Sequence, residues 1–502
     1  MRFYNIINQL KEKFSDTITI EEINLFFDFE VSDIIYNSKD TKENSIFVAI
    51  KGLTSDGHNF INDAIDKGAK AIFIEDKNIL PNIKENINII YTSSSRKILA
   101  AISNIFYNFP YKNTTLIGIT GTNGKTSIAF SLYNYFYNYK DRNSGLIGTI
   151  YYKINNTTIK SKNTTPESKD YIKLLKEMVD KKVEYVSSEI SSHALKLDRV
   201  FSIEYDVAIF TNLTRDHLDF HTDMEDYYNS KKLLFTDHIK NNGVSIINID
   251  NEYGKKLFNE LNRNNKYPIS IKNKNAYFYI SQIVLTENFS NYIISINKSQ
   301  NISITTNLIG EFNVYNSAFI FATLYLLGEK IEDITEYLKE VPPIPGRLEK
   351  IKNNINRHII IDYAHTPDAL ENVLKTIKKL SKKRIISVFG AGGDRDSGKR
   401  PLMGQVAEKY SDIIIITNDN PRNEDPERIV QDIIKGIDNK SKIIKILDRK
   451  EAIRKAIEIS EKSDWILIAG KGHEDYQILK DKIIHFSDRE VVKEILDKME
   501  TN

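Results

Sequence analysis

Short apolar runs alternate with polar, glycine-rich breaks along most of the chain, and the order strand, loop, helix recurs from one end to the other. The first residues alternate apolar and charged positions as an amphipathic helix does, without the continuous apolar core of a signal peptide. Ser45-Ile-Phe-Val-Ala-Ile50 and Ala71-Ile-Phe-Ile74 read as buried strands, with a helix over Phe60 to Gly68 between them and polar loops at Asn37-Ser38-Lys39 and Thr54 to His58. Residues 1–112 are therefore expected to form a small α/β domain.

From residue 113 to 342 the alternation predicts a mostly parallel sheet covered by helices. Leu116-Ile-Gly-Ile-Thr-Gly-Thr-Asn-Gly-Lys-Thr126 is a buried strand that breaks into a glycine-rich turn before a helix. Two neighbouring strands, Val183 to Glu189 and Ala208 to Thr211, run into polar clusters. The first ends in Glu189, Ser191 and His193, followed by Arg199. The second is followed by Asn212, Asp216, His217 and Asp219. In the helix Met224 to Phe235, residues Tyr227, Lys231 and Phe235 share one face, where Lys231 reads as a snorkelling lysine. Asn313 and Asn316 stand before the apolar helix Ser317 to Leu327, as cap or ligand contact.

The proline-rich stretch Val341 to Arg347 reads as a linker into a third domain, residues 343–502. Four apolar runs there, Ile359–Ile361, Ile385–Phe389, Ile413–Ile416 and Trp465–Ala469, look buried on both faces, as in a parallel sheet. Each opens into a polar loop: Asp362-Tyr-Ala-His-Thr-Pro-Asp368, Gly390 to Arg395, Asn418-Asp-Asn-Pro-Arg422 and Gly470-Lys-Gly-His-Glu474. Open α/β sheets bind ligands beyond the carboxyl ends of their strands, so these loops should line one crevice. Its arginines suit carboxylates and its acids suit ammonium groups, a match to a zwitterionic amino acid.

Composition narrows the choices. Across 502 residues, 70 Lys and Arg nearly cancel 68 Asp and Glu, so no overall field favours nucleic acid or an anionic membrane. Lysine-rich Lys435 to Lys455 mixes charge signs and reads as solvated helix faces. Cysteine is absent, which excludes disulfides and thiol catalysis and fits a cytoplasmic location. No run approaches a membrane span.

The glycine-rich turn reads as a phosphate cradle: Gly121, Thr122, Asn123 and Gly124 aim backbone N–H groups at an anion, Lys125 neutralises charge and Thr126 can hold Mg²⁺. It departs from the general pattern by carrying Ile119 where the first glycine should stand. The strand-end carboxylates and histidine nearby suggest Mg²⁺ bridged to ATP phosphates.

With these loops assembled, the chain resembles the Mur ligase family over nearly its whole length. The marks are Thr120 to Thr126, Asn163-Thr-Thr-Pro166, Glu189 to His193, Asn212 with Asp216-His-Leu-Asp219, Pro345-Gly-Arg347, Asp362 to Asp368, Gly392-Gly-Asp-Arg-Asp396, Asp419-Asn-Pro-Arg422 and Gly470 to Glu474. The resemblance implies a uridine-nucleotide domain, a central ATPase domain and a C-terminal Rossmann-like domain. It also implies ATP-dependent addition of a diamino acid to UDP-N-acetylmuramoyl-L-alanyl-D-glutamate through an acyl phosphate, by a monomer. Ser38 would contact the uridine part, although this chain carries Asn37 and Lys39 where the family usually has Asp and Arg. Thr164, Thr165, Ser191 and Arg199 would bind the muramoyl dipeptide. Glu189 and His217 would hold Mg²⁺, joined by Lys231 as a carbamate. Asn313, Asp362 and His365 would contact the adenosine, and Arg347 the phosphates. Arg422 would pair with the distal carboxylate of meso-diaminopimelate, Asp419 and Glu474 would take its ammonium, Arg395 would hold the proximal carboxylate, and Asn420 and Gly470 would complete the pocket. Weaker readings are an L-lysine-adding member, a folylpolyglutamate-type ligase and a nucleotide-binding scaffold without activity.

Overall fold

A computed structural model describes residues 1–52, 55–83 and 86–500; Thr54, in one of the expected polar loops, lies outside them. The chain divides into two compact units. One comprises residues 1–120, 136–208 and 229–244, the other 121–135, 209–228 and 245–502.

In the first unit, strands β1 (Ile20–Asn24), β2 (Ile34–Ile35), β3 (Ser45–Val48), β4 (Ala69–Ile74) and β5 (Asn88–Thr92) form a sheet in the order β1-β5-β4-β3-β2. It is parallel except for β1. The amphipathic start forms the helix Phe3–Phe14, which lays Phe3, Ile6, Ile7 and Leu10 on one face of this sheet beside the helix Ser95–Phe106. Ile61 and Ala64 of the short helix Ile61–Asp66 cover the other face. Beyond it, β6 (Thr115–Thr120) and β7 (Ser144–Ile147) both pair in parallel with β10 (Tyr185–Glu189), and the hairpin of β8 (Tyr151–Ile154) and β9 (Thr157–Lys160) extends β7 antiparallel. The two strands with polar ends are not neighbours as expected: β6 lies between β10 and β11 (Tyr205–Phe210), which puts the strand that leads into the phosphate loop at the centre.

In the second unit, the end of β12 (Ile239–Asn248) pairs in parallel with β13 (Lys266–Ser270), and β13 with β14 (Phe278–Leu285). From there β14, β15 (Ser290–Ile296) and β16 (Gln300–Thr306) turn antiparallel. The apolar helix runs over Glu311–Leu326 with Gly310 at its cap, so Asn313 and Asn316 sit inside its first turns and not before it.

The third region of the chain carries β17 (Glu349–Ile351), β18 (His358–Asp362), β19 (Ile385–Phe389), β20 (Ile413–Ile416), β21 (Ile443–Lys445) and β22 (Trp465–Ala469). Their order is β17-β18-β22-β19-β20-β21, parallel but for β17, and β23 (Tyr476–Leu479) pairs with β24 (Lys482–His485) as a separate hairpin. β19 and β22 are buried at every position because helices cover both faces, in keeping with their runs, which are apolar but for Ser387. Lys435 to Lys455 is not a set of solvated helix faces: it contains a 3₁₀ turn, the strand β21 and the start of the helix Arg449–Ile459, with Arg449 fully buried. Among the described residues no helix is long and apolar enough to cross a membrane.

Candidate active site

The phosphate loop follows β6 and turns into the helix Lys125–Asn134. Gly121 has φ of 143°, and a Cβ there would stand 1.9 Å from Thr211 Oγ1, so only glycine lets the backbone pass. Asn123 is fixed on three sides: its N–H donates to Asn212 Oδ1 at 3.0 Å, its carbonyl accepts from Thr211 Oγ1 at 2.6 Å, and its Nδ2 donates to Asp368 Oδ2 at 2.8 Å. Thr122 Oγ1 bonds the Thr214 carbonyl and the Tyr227 hydroxyl, each at 3.2 Å. Lys125 donates to the carbonyls of Gly121 and Thr122 at 2.7 and 2.9 Å. Asn316 donates to Asn313 Oδ1 at 2.8 Å and brings its own Oδ1 so near Gly124 that a Cβ there would meet it at 2.6 Å. Asn316 therefore lies against the loop, and Asn313 holds it while donating to the Ile309 carbonyl at 2.9 Å; neither side chain caps the helix.

Arg347 reaches the loop from the Pro345-Gly346-Arg347 turn. Its Nη2 donates to Thr126 Oγ1 at 3.1 Å and its guanidinium lies 4.6 Å from the Tyr363 ring centre. Asp362 holds that turn: its two oxygens accept the N–H groups of Leu348 at 2.6 Å and Ala364 at 2.8 Å, and burial lifts its pKa despite nearby Arg347. His365 bonds the Tyr363 carbonyl at 2.8 Å, and burial followed by Lys399 keeps it below the usual imidazole range. Asp216 stays below the usual carboxylate range because His217, His365 and Lys399 outweigh its burial. His217 is 40% exposed, 3.4 Å from Asp216, with its backbone in the left-handed region at φ 56°. A cavity of about 370 Å³ adjoins the loop, lined by Asn212, Thr214, Asp250, Phe312, Tyr315 and Asp368. Asn313, Asp362 and His365 are not among its lining residues.

In the first unit, the residues expected for the muramoyl dipeptide form one network. Thr165 Oγ1 donates to the Glu189 carbonyl at 2.8 Å and accepts from the Ser191 N–H at 3.1 Å; Arg199 donates to the Thr165 carbonyl at 3.1 Å. Thr164 bonds Thr149 at 3.0 Å, and Thr149 in turn gives its N–H and hydroxyl to the two Glu189 carboxylate oxygens at 2.8 and 3.0 Å. Glu167 sits between Arg96 and Arg199, 3.3 and 3.4 Å from them. Glu167 closes the polar turn Asn163 to Glu167 that the sequence shows, whereas Thr149 did not stand out, since a threonine after a glycine is an ordinary turn residue. Ser38 is buried in its own 3₁₀ turn, where Asn37 accepts the Lys39 N–H at 3.2 Å as an aspartate would. Its carbonyl accepts from Lys67 at 3.3 Å and from the Thr41 N–H at 3.4 Å, and its hydroxyl bonds Asp63, so its contacts lie outside that network. Lys231 is 1% exposed, which excludes snorkelling.

At the carboxyl ends of β18, β19, β20 and β22 the four polar loops do meet. A Cβ on Gly470, at φ 114°, would fall 2.4 Å from Asp419 Oδ2. Asn420 donates to Glu474 Oε2 at 3.0 Å, and Arg422 places Nη1 2.8 Å from the Gly393 carbonyl, with no carboxylate partner among the described residues. Burial raises the Glu474 pKa, against the pull of Lys471. Arg395 differs: it is exposed and donates to its neighbour's carbonyl, while the buried Arg400 takes Glu424 and Asp432 and donates to the Gly392 carbonyl. Sequence reasoning passed over Arg400 and also Lys471, although Lys471 lies inside a quoted motif between two glycines at a strand end. Among the described residues, no three His, Asp or Glu side chains gather as a ready metal site.

Three family models match the chain: the Mur ligase middle domain over residues 119–324, the Mur ligase glutamate ligase domain over 346–472, and the Mur ligase family catalytic domain over 30–107. The UDP-N-acetylmuramoyl-L-alanyl-D-glutamate–2,6-diaminopimelate ligase of Clostridium botulinum is 44% identical over 477 residues, 94% of this chain and 96% of that protein. The ligase of the same description from Aquifex aeolicus is 42% identical, over 93% and 94%. A solved structure of a 2,6-diaminopimelate ligase with that description superposes with a TM-score of 0.66 at 27% identity, covering 95% of this chain and 98% of the other.

Proposed function

The chain belongs to the Mur ligase family, and from that premise we propose how its residues divide the work of an ATP-dependent amide ligase that adds 2,6-diaminopimelate to UDP-N-acetylmuramoyl-L-alanyl-D-glutamate in peptidoglycan precursor synthesis. A carboxylate repels an attacking amine and has no good leaving group. Transfer of the ATP γ-phosphoryl to the D-glutamyl side-chain carboxylate removes both obstacles. The diaminopimelate amine then attacks the acyl phosphate and inorganic phosphate leaves, so one amide forms for each ATP cleaved to ADP.

The observation that carries this assignment is the bond from Arg347 to Thr126, which sets a guanidinium from the C-terminal region on the hydroxyl of the phosphate loop. Lys125 and Arg347 neutralise charge as it spreads over the transferred phosphoryl. The nucleoside lies in the cavity beside Asn212 and Asp368, with Asn313, Asp362 and His365 supporting the loop and turn around it. Thr164, Thr165, Ser191 and Arg199 hold the dipeptide, and Ser38 the uridine part. Asp419, Asn420, Arg422, Gly470 and Glu474 hold the distal end of diaminopimelate, with Arg395 at the rim for the proximal carboxylate. Residues 1–112, 113–342 and 343–502 are the corresponding domains of a monomer working in the cytoplasm.

Mg²⁺ takes few protein ligands and completes its shell with phosphate oxygens and water. We assign to it the Thr126 hydroxyl, the Glu189 carboxylate oriented by Thr149, the His217 imidazole and a carbamate on Lys231. Bound there, it supplies positive charge to the ATP phosphates. The burial of Lys231 supports this role, because it keeps the side chain inside the protein and away from bulk solvent.

The test is release of phosphate from ATP with each acceptor supplied singly and together. The proposal requires turnover only with both the UDP-muramoyl dipeptide and diaminopimelate present; turnover indifferent to either one contradicts it.

A further inference from the structure

The acceptor crevice holds a cation of its own. Lys471 has no exposed surface, and its ammonium stands 3.1 Å from Glu474 Oε2, 3.2 Å from Asn420 Oδ1 and 3.9 Å from Asp419 Oδ1, with the Tyr476 ring centre at 5.5 Å. Asn420 is set by the same group of contacts: its Oδ1 also accepts the Ile478 N–H at 3.0 Å while its Nδ2 donates to Glu474. Lysine is almost never fully buried unless it is paired, and here it is paired inside the loops assigned to substrate.

We propose that Lys471 is a positioning residue for the amino-acid acceptor: it fixes Glu474 and Asn420 and balances one of the two carboxylates, so that the crevice offers one net negative charge to the distal ammonium beside the positive charge of Arg422. This rests on the assignment of these loops to diaminopimelate. Two carboxylates and one ammonium leave a charge of minus one, and Arg422 adds plus one. That pair mirrors the distal zwitterion of a diamino diacid. Without Lys471, Asp419 and Glu474 would face each other as like charges in a buried place. One would take up a proton, the net charge would return to minus one, and the hydrogen bonds that aim Glu474 and Asn420 would be lost. The opposite result follows if Lys471 acts only by repulsion: its removal would expose two bare carboxylates and draw the ammonium in more tightly.

The experiment measures steady-state kinetics of Lys471→Met, Lys471→Gln and Lys471→Arg, with each of the three substrates varied in turn. Loss of charge-assisted hydrogen bonds predicts a rise in KM for diaminopimelate of roughly tenfold to a hundredfold in the Met and Gln variants. Their kcat should fall by less, and KM for ATP and for the UDP-muramoyl dipeptide should stay near wild type. Lys471→Arg, which keeps the charge, should recover most of the loss. Unchanged KM values for ATP and the dipeptide show that a variant is folded, and should Met prove unstable, Gln retains a donor of similar length and carries the test. A KM for diaminopimelate that is unchanged or lower, or an Arg variant as impaired as Met, overturns the proposal. Glu474→Gln separates this from the reading beneath it. If Glu474→Gln leaves KM for diaminopimelate at the wild-type value, the acceptor assignment itself fails; if it raises KM while the Lys471 variants do not, only the role of Lys471 fails.

Discussion

Lys125 bonds two carbonyls of its own loop and so is held where a phosphate would sit. Lys125→Ala should lose roughly 10² to 10³ in kcat, about 2.7–4 kcal/mol of transition-state stabilisation, with unfolding and uridine-nucleotide affinity unchanged. Near-normal turnover would remove the lysine from phosphoryl transfer. Lys231→Ala should be inactive for another reason, loss of the carbamate oxygens, and should regain part of its activity with small added carboxylates; no rescue, together with wild-type activity indifferent to CO₂ removal, would return Lys231 to a packing role. These two lysines differ in how well the sequence exposes them. Lys125 is legible because the glycines around it have a single steric reason, now visible at Gly121 against Thr211. Lys231 is not, because helical spacing with Tyr227 and Phe235 says which face it shares but not how deeply that face is buried, and only the resemblance pointed to its role. Lys471 went unnoticed for the same cause: a lysine between glycines gives no sign of its depth until the sheet packs Asp419 and Glu474 around it.

At the scale of elements, strand-end chemistry was the readable part. The buried runs of β18, β19, β20 and β22 and the loops after them follow from apolar pattern and turn residues alone, and the loops meet because parallel strands end on one side. The order of strands was not readable, and neither was Arg449, hidden in a lysine-rich stretch. Its guanidinium donates to both Asp488 oxygens at 2.8 Å, and to the carbonyls of Ala469 at 2.9 Å and Asn418 at 3.3 Å, at the roots of two acceptor loops. Pair and carbonyl contacts join residues 20 to 39 positions apart in sequence, a distance no local pattern spans. Arg449→Met leaves Asp488 as a buried charge without its partner and should cost about 3–5 kcal/mol in urea unfolding. Arg449→Met combined with Asp488→Leu should cost clearly less. Equal losses in the single and double variants would mean that packing, not charge, holds this corner.

Across the whole molecule, acid should act through groups kept neutral by burial as well as through ion pairs. His238 is buried with Nδ1 unbonded among the described residues, and burial pulls its pKa from 6.5 down to about 4. Between those values the unfolded chain binds the proton and the folded chain does not. Stability should therefore fall as pH drops below about 6.5 and level off for this residue below about 4. By pH 5 the share of His238 is roughly 2 kcal/mol, which His238→Gln should remove from the pH dependence of the urea midpoint. A variant with the wild-type slope would show that His238 protonates without cost in the folded state.

The diaminopimelate assignment rests on Arg422, the group that decides which diamino acid the crevice accepts. It has a guanidinium fork at the strand ends with no carboxylate partner among the described residues, next to an acid cluster for an ammonium. L-Lysine would satisfy the acids and leave the half-buried fork without a carboxylate, whereas the diacid satisfies both. The most direct measurement is kcat/KM for meso-diaminopimelate and for L-lysine in the wild type and in Arg422→Ala. The wild type should prefer the diacid by at least about 10², and the variant should lose most of that preference by losing activity toward the diacid alone. A wild type that prefers L-lysine, or a variant that keeps the preference for the diacid, would contradict it.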